Sequence, residues 1–497
     1  MLPDQSEEVY SAAEGIGIYL TKHLLCHQGF ACENFYAEAF ALPLLYSLNL
    51  LHPEIYSILS ESFRKKNRKA ADFHWEFNRY GLKEFQDLSG ESRYNEFIEN
   101  SSFTGNSTTN WSLLRYRLLL SLDTFDHKTC QNVKELITSR QDSEGLLWDE
   151  SGVRSFQYHS FSLAILLEIA EMSKDSFFLD AAKRGIDFIS RFVLRNGDTL
   201  YVGRGQQQLF GYASIIYALA KFMQLRQEYS HLYEWGSIWR FIQGERRNNG
   251  SFPLVLGRDE PDQPFEPNLK NPDYLGWYAY NRYFDYLTFA GYFFLKTARI
   301  LPLSQTNNGG QNFYREKDSF SGSWIKVTKK SYEAVLNKPY GVTTNDLVFP
   351  YIVYRGQNIT PCNGGELIHP SLYSKNDISL PFFKRINRTI KAKSISWLTK
   401  NTLKILSPCG FLKRRFTFLE DQIQVKTSLF SPFSSTHQYI FHDTLSQQDP
   451  YTLVGNKFRI HSNTTLKLLR KGYNCQGGVQ VYGAKGFHHV MTIRFET

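Results

Sequence analysis

Cys-x-x-Cys pairs are absent, and with them the usual zinc knuckle and zinc finger. Six cysteines stand apart, at Cys26, Cys32, Cys130, Cys362, Cys409 and Cys475. So few in 497 residues do not make a disulfide-stapled framework, and free buried thiols are expected. No apolar run reaches the roughly 18 residues that a membrane-crossing helix needs, so no span is expected. The opening Met1-Leu2-Pro3-Asp4 lacks the basic and apolar stretches of a secretory signal. The expectation is a chain that stays in the cytoplasm or one whose signal has been removed. The Asn-x-Ser/Thr triplets at Asn100, Asn106, Asn110, Asn358, Asn387 and Asn463 are then chance occurrences. RNP-like strands and long basic runs are also missing, which excludes the common nucleic-acid modules. The short basic stretch Lys65-Lys66-Asn67-Arg68-Lys69 reads as a solvated helix end. Gly203-Arg204-Gly205 has no strand–helix context for a dinucleotide, so neither cofactor nor metal is expected.

Aromatic residues are plentiful, at 15%, with 39 Phe, 30 Tyr and 8 Trp. Two readings stand: rings that stack on sugars, or an aromatic-rich core. The formal net charge of +9 attracts polyanions. With nucleic-acid modules excluded, an acidic polysaccharide is the expected partner.

Apolar residues recur at three- and four-residue steps over 8–25, 33–50, 53–66, 111–123, 128–140, 157–173, 177–194, 208–227, 230–243 and 280–299. About ten helices with short links predict stacked helical hairpins, an incomplete α/α toroid over residues 1–302. Ser304–Gly310 is linker-like, and the linker is placed at 303–310. Over 311–497 short alternating runs take over, among them Ser323–Thr328, Ile423–Leu429 and Val490–Phe495. They predict an antiparallel β-sandwich. The fold class is therefore α+β and multidomain, helices first and strands second.

Four helical-half segments carry polar residues that a core would not choose. His74, Trp75 and Asn78 lie together, with His74 and Asn78 on one helical face. Asn110 and Trp111 open a helix, where Asn110 is an N-cap or a carboxamide for a substrate carboxylate. Tyr158 and His159 open another. Arg204 sits between two glycines, followed by Gln206, Gln207 and Gln208 and then Tyr212. Together these supply what β-elimination from a uronate needs. A guanidinium and an amide neutralise the carboxylate as the α-carbanion develops, and a His or Tyr moves the protons.

Asn110-Trp111, the Ser155-Phe-x-x-His159 run and Gly203-Arg204 resemble the hyaluronate/chondroitin lyase-like superfamily of α/α-toroid polysaccharide lyases, as does the domain order. The resemblance implies that Asn110 and Arg204 neutralise the uronate and that His159 assists proton abstraction. That family places a catalytic Tyr in the same helix as its His. Here the helix continues Phe161-Ser162-Leu163-Ala164 without one. The Tyr role is expected of Tyr212, with Tyr158 and Tyr280 as alternatives. Substrate contacts are expected from His74, Trp75, Asn78, Trp111, Tyr158, Gln207 and Tyr280. Three other readings stay open. A glycoside hydrolase would draw on Asp142, Glu144, Asp149, Glu150 or Asp285. A uronate C5-epimerase would share the proton abstraction, and a non-catalytic exopolysaccharide-binding protein would use the toroid as a cradle.

Overall fold

The computed structural model describes residues 5–70, 73–100, 102–124, 126–150, 153–203, 207–257, 282–301, 318–320, 324–337, 349–361, 383–385, 388–390, 394–407, 410–431, 435–442, 444–474 and 477–496. They divide into two compact units. One holds 5–200, 207–257 and 282–301; the other holds 201–203 and the residues from 318 onward. The linker expected at 303–310 lies outside the described residues.

The first unit is helical: α1 (Gln5–His27), α2 (Ala37–Ser47), α3 (Pro53–Lys65), α4 (Trp75–Ser89), α5 (Asn95–Glu99), α6 (Thr109–Ser121), α7 (His127–Arg140), α8 (Phe156–Ser173), α9 (Ser176–Ser190), α10 (Leu209–Arg226), α11 (Leu232–Gly244) and α12 (Tyr283–Ile300). Local chemistry sets several ends. Asp126, Ser155 and Asp175 accept from the backbone N–H of Thr129, Tyr158 and Phe177, satisfying donors left over at the starts of α7, α8 and α9. Gly90, at φ 73°, closes α4 in the left-handed conformation.

The even-numbered helices form an inner ring. α2 packs on α4, α4 on α6, α6 on α8, α8 on α10, α10 on α12, and α12 returns to α2. The contact of α12 with α2 brings the first and last of these helices together, as in the toroid of helical hairpins that the sequence pattern predicts. The odd-numbered helices lie against it, α1 on α12, α3 on α2, α7 on α6, α9 on α8 and α11 on α10. Inner helices are covered on all sides, which is why α8 and α10 are buried over most of their length. α2 and α4 approach so closely that a Cβ on Gly81 would lie 2.5 Å from the Ala39 carbonyl oxygen.

All six inner helices run in one direction, and side chains stack along the axis in three layers. At the N-terminal ends lies a mouth of aromatic and amide groups. Beneath it Phe77, Phe161, Phe210 and Phe289, from α4, α8, α10 and α12, close the axis with centroid spacings of 5.3, 4.9 and 4.3 Å along the series. Much of the phenylalanine is therefore core. At the C-terminal ends Glu84, Arg117, Glu168 and Lys296 meet in a buried ion cluster.

The second unit is β-structure: β1 (Ser319–Phe320), β2 (Trp324–Thr328), β3 (Tyr332–Asn337), β4 (Tyr351–Tyr354), β5 (Gln357–Asn358), β6 (Phe383–Arg385), β7 (Arg388–Ile390), β8 (Ser394–Thr399), β9 (Thr402–Ser407), β10 (Gly410–Phe418), β11 (Gln422–Phe430), β12 (Ser435–His442), β13 (Ser446–Asp449), β14 (Thr452–Gly455), β15 (Phe458–Ser462), β16 (Leu466–Asn474), β17 (Gly477–Gly486) and β18 (His488–Phe495). Strands β1 to β5 make one sheet in chain order. A second sheet runs β13-β14-β15-β18-β11-β10-β9-β8, and a third β16-β17-β12-β6-β7. The pairings are antiparallel, and buried and exposed residues alternate along β10 and β11. Side chains of β12 meet those of β10 and β18, so the second and third sheets face each other.

The thiols depart from the expectation of burial. Cys26 and Cys130 are free, but Cys26 is exposed and Cys130 half-buried.

Candidate active site

The mouth is assembled from the first turns of the inner helices and the residues just before them. The His74 ring stacks on Phe35 at 4.1 Å and lies 4.9 Å from Trp111 and 5.7 Å from Tyr36. Asn78, one turn beyond His74, donates from Nδ2 to the carbonyls of Phe35 (3.1 Å) and His74 (2.9 Å), tying α4 to the approach to α2. Asp285 on α12 fastens the same approach from the other side, accepting from the backbone N–H of Phe35 (2.8 Å) and Tyr36 (2.7 Å). Burial lifts the Asp285 carboxyl to about 6, although Lys66 and these two N–H groups pull it down. Arg282 lies over the Phe35 ring at 4.9 Å and pairs with Glu33 at 2.6 Å. The Tyr36 phenol is held well above its ordinary range by burial, then by Asp285 and by Tyr158.

Asn110 is the most informative residue here. It is fully buried in the first turn of α6. Its Oδ1 accepts from the Trp111 N–H and the Thr108 hydroxyl, both at 2.6 Å. Its Nδ2 has no hydrogen-bond partner among the described residues, nor does Gln157 Oε1 on α8 or Asn78 Oδ1 on α4. Buried polar atoms are nearly always paired, so three unpaired amide atoms at one end of one ring mark a place where hydrogen bonds are still to be made.

The structure thus gathers His74, Asn78, Asn110, Trp111 and Tyr158 at the mouth, and separates others from it. Trp75 stacks on Phe97 of α5 at 5.1 Å and faces the outer layer, not a sugar site. His159 is fully buried. Its Nδ1 accepts from the Leu147 N–H at 3.0 Å, so Nε2 carries the hydrogen and donates to the Gly185 carbonyl at 3.1 Å. With both ring nitrogens used on backbone, it has none for a substrate proton, and the expected base role is corrected. Tyr212 is also fully buried and donates to Asp198 Oδ1 at 2.8 Å, while Gln207 Nε2 donates to Asp198 Oδ2 at 2.6 Å. Both therefore fasten the entry to α10, and neither offers its polar end to a ligand. Arg204 and Tyr280 lie outside the described residues. Among the hydrolase candidates, Asp142 Oδ1 is folded into its own turn, accepting from the N–H of Glu144, Gly145 and Leu146. Tyr36 and Arg282 were not singled out by sequence. The nearest signal is Asp285, three residues after Arg282.

One consequence concerns His159. His159→Ala leaves the Leu147 N–H and Gly185 carbonyl unpaired and opens a hole, a loss of about 2–3 kcal/mol. Chemical unfolding followed by helical circular dichroism checks it. Burial lowers the His159 pKa to about 4, below the ~6.5 of an unfolded histidine. Its stabilising contribution is therefore complete above that unfolded value and fades as pH falls toward 4.

At the opposite end of the ring a cavity of about 340 Å³ is lined by Glu84, Arg117, Glu168, Tyr217, Tyr292 and Lys296, among others. Glu168 accepts from Arg117 Nε (2.9 Å), Lys296 (2.5 Å), Tyr80 (2.9 Å) and Tyr217 (2.9 Å). Glu84 accepts from Arg117, Tyr292 and Lys296. Two cations and two carboxylates balance, and the negative ends of six helix dipoles point here. This end is built for mutual neutralisation rather than for an anionic ligand.

Among the described residues no helix is long and apolar enough to cross a membrane, and no cluster of His, Cys, Asp and Glu has metal-ligand geometry. A closed α/α toroid with antiparallel sheets in the second unit is the fold class this structure defines. No family model matches the chain, and no curated protein matches it in sequence. Among solved structures it is similar to the heparan sulfate lyase HepC from Pedobacter heparinus. The TM-score is 0.50 at 12% identity, covering 92% of this chain and 75% of that one. It is also similar to a polysaccharide lyase (TM-score 0.41, 13% identity, 60% of this chain and 97% of that one). A family 88 glycosyl hydrolase from Bacteroides vulgatus matches with a TM-score of 0.42 and 11% identity over 59% of this chain and 99% of that one. The likeness to HepC is one of fold.

Proposed function

We propose that the chain is a polysaccharide lyase that cleaves a uronate-containing glycan by β-elimination at the toroid mouth. The observation that carries this reading is Asn110: a fully buried amide whose Nδ2 hydrogens have no partner among the described residues, at the end of the ring where six helix N-termini converge. Those N-termini carry partial positive charge, so an anionic group is favoured there before any side chain acts. The net charge of +9 adds long-range attraction for an acidic polymer.

In this reading Asn110 Nδ2 receives the uronate carboxylate and stabilises the carbanion that forms beside it. His74, half-buried at the rim, takes the α-proton. Tyr158 donates to the departing glycosidic oxygen, the role first expected of Tyr212. Trp111 supplies a ring face for the sugar. The C–O bond breaks as the new C=C forms, the proton goes from substrate to His74, and Tyr158 supplies one to the leaving group.

The test is a panel of acidic and neutral polysaccharides followed by ultraviolet absorbance of the unsaturated uronate. Absorbance is expected to rise with uronate polymers and not with neutral ones. Chain shortening without absorbance would instead mean hydrolysis. Deuterium uptake without shortening would mean epimerisation, and binding without chemistry would mean a glycan cradle.

A further inference from the structure

The second unit has a polar row inside an otherwise apolar sandwich. Along β10 the inward positions are Leu412, Arg414 and Phe416. Arg414 pairs across the sheet with Thr427 of β11, which pairs with His489 of β18. All three are buried, at 2%, 1% and 0% exposure. From the facing sheet β12 presents His437 and Tyr439, equally buried. The Tyr439 hydroxyl meets His489 Nδ1 at 2.8 Å, and His489 Nε2 meets the Ser462 hydroxyl at 2.9 Å, so His489 is satisfied. Arg414 and His437 are not. Arg414 Nε donates to Thr427 Oγ1 at 3.3 Å and its guanidinium lies 5.4 Å from the Tyr439 ring centre, but Nη1 has no partner among the described residues. His437 Nε2 donates to the Gly486 carbonyl at 3.1 Å, while Nδ1 has no partner among the described residues.

A guanidinium stays charged, and a buried charge without a counter-charge is costly. Among the described residues the groups that act on Arg414, His437 and His489 are Tyr439 and these three themselves, none of them a carboxylate. We propose that this interior holds one small inorganic anion of halide size between Arg414 Nη1 and His437 Nδ1. The His437 and His489 rings are 6.2 Å apart and Tyr439 closes the third side, which suits a single atom better than a branched oxyanion. The anion accepts from Arg414 Nη1–H. It also favours a proton on His437 Nδ1, which then donates to it. The titratable groups facing His437 are Arg414 from β10, His489 from β18 and Tyr439 on its own strand. Burial and Arg414 both disfavour a charged His437 until the anion offsets them. Halide affinity therefore rises as pH falls.

Two measurements on the full chain test this. Crystals grown in bromide should show an anomalous peak within hydrogen-bonding reach of Arg414 and His437. Amide hydrogen exchange on β12 and β18 should slow with chloride at constant ionic strength. The expected slowing is about tenfold at ten times the dissociation constant, and it should be absent in Arg414→Met. No peak together with no chloride effect would overturn the proposal and leave a bridging water as the partner. A chloride effect that persists in Arg414→Met would overturn it as well. If Arg414→Met does not fold, the bromide peak in the unaltered protein decides.

Discussion

Replacing Asn110 by aspartate is expected to lower kcat/KM on a uronate polysaccharide by about a thousandfold while leaving the fold intact. The substitution is isosteric. Oδ1 keeps its two short bonds, from the Trp111 N–H and the Thr108 hydroxyl. A carboxylate in the first turn of α6 also suits the positive end of the helix dipole. What changes is the other atom, from the N–H donor that the proposed function turns toward the substrate carboxylate to a like-charged oxygen. Ground-state binding through Trp111 should suffer less than kcat, because the carbanion carries more charge than the substrate. Steady-state kinetics with circular dichroism as the folding control checks this, and a loss of tenfold or less would remove Asn110 from the chemistry.

Glu168→Ala should act at the far end of the ring, on stability. Glu168 is almost fully buried and accepts from Arg117, Lys296, Tyr80 and Tyr217 at once. Its removal leaves two buried cations facing Glu84 alone, a cost of about 3–5 kcal/mol. Urea unfolding read by helical circular dichroism measures it. The pH dependence has a definite sign. Burial by itself would raise the Glu168 carboxyl, but Lys296 and Arg117 outweigh it and hold the pKa at about 2. The same cations lower Glu84. The Glu168 value lies below the ~4.3 of an unfolded glutamate, and Glu84 is shifted in the same direction. The cluster's contribution is therefore complete above that value and is lost as pH falls toward 2. The variant should lose stability less steeply over that window than the unaltered protein.

The helical half was legible where apolar residues repeat at helical spacing, as in α8 and α10. α4 was not. Its buried face carries Glu76, Asn78 and Arg79, so the apolar stripe is broken by polar groups that are satisfied only by other helices, Glu76 by Arg115 for example. The mouth could be read in part because polar residues at the start of apolar helices stand out, and Asn110, Trp111 and Tyr158 do so. His159 and Tyr212 stand out in the same way but serve the backbone and Asp198, a distinction made by partners distant in sequence. Arg414 has a readable signal of its own, a lone cation at an inward position of a period-two strand.

The most direct test of elimination at the mouth is the mass of the products formed in water enriched in heavy oxygen. Elimination divides the chain without consuming water, so the fragment masses should sum to the parent and carry no label, with one fragment unsaturated. Fragments that together weigh one water more than the parent, with label at the new end, would contradict the account.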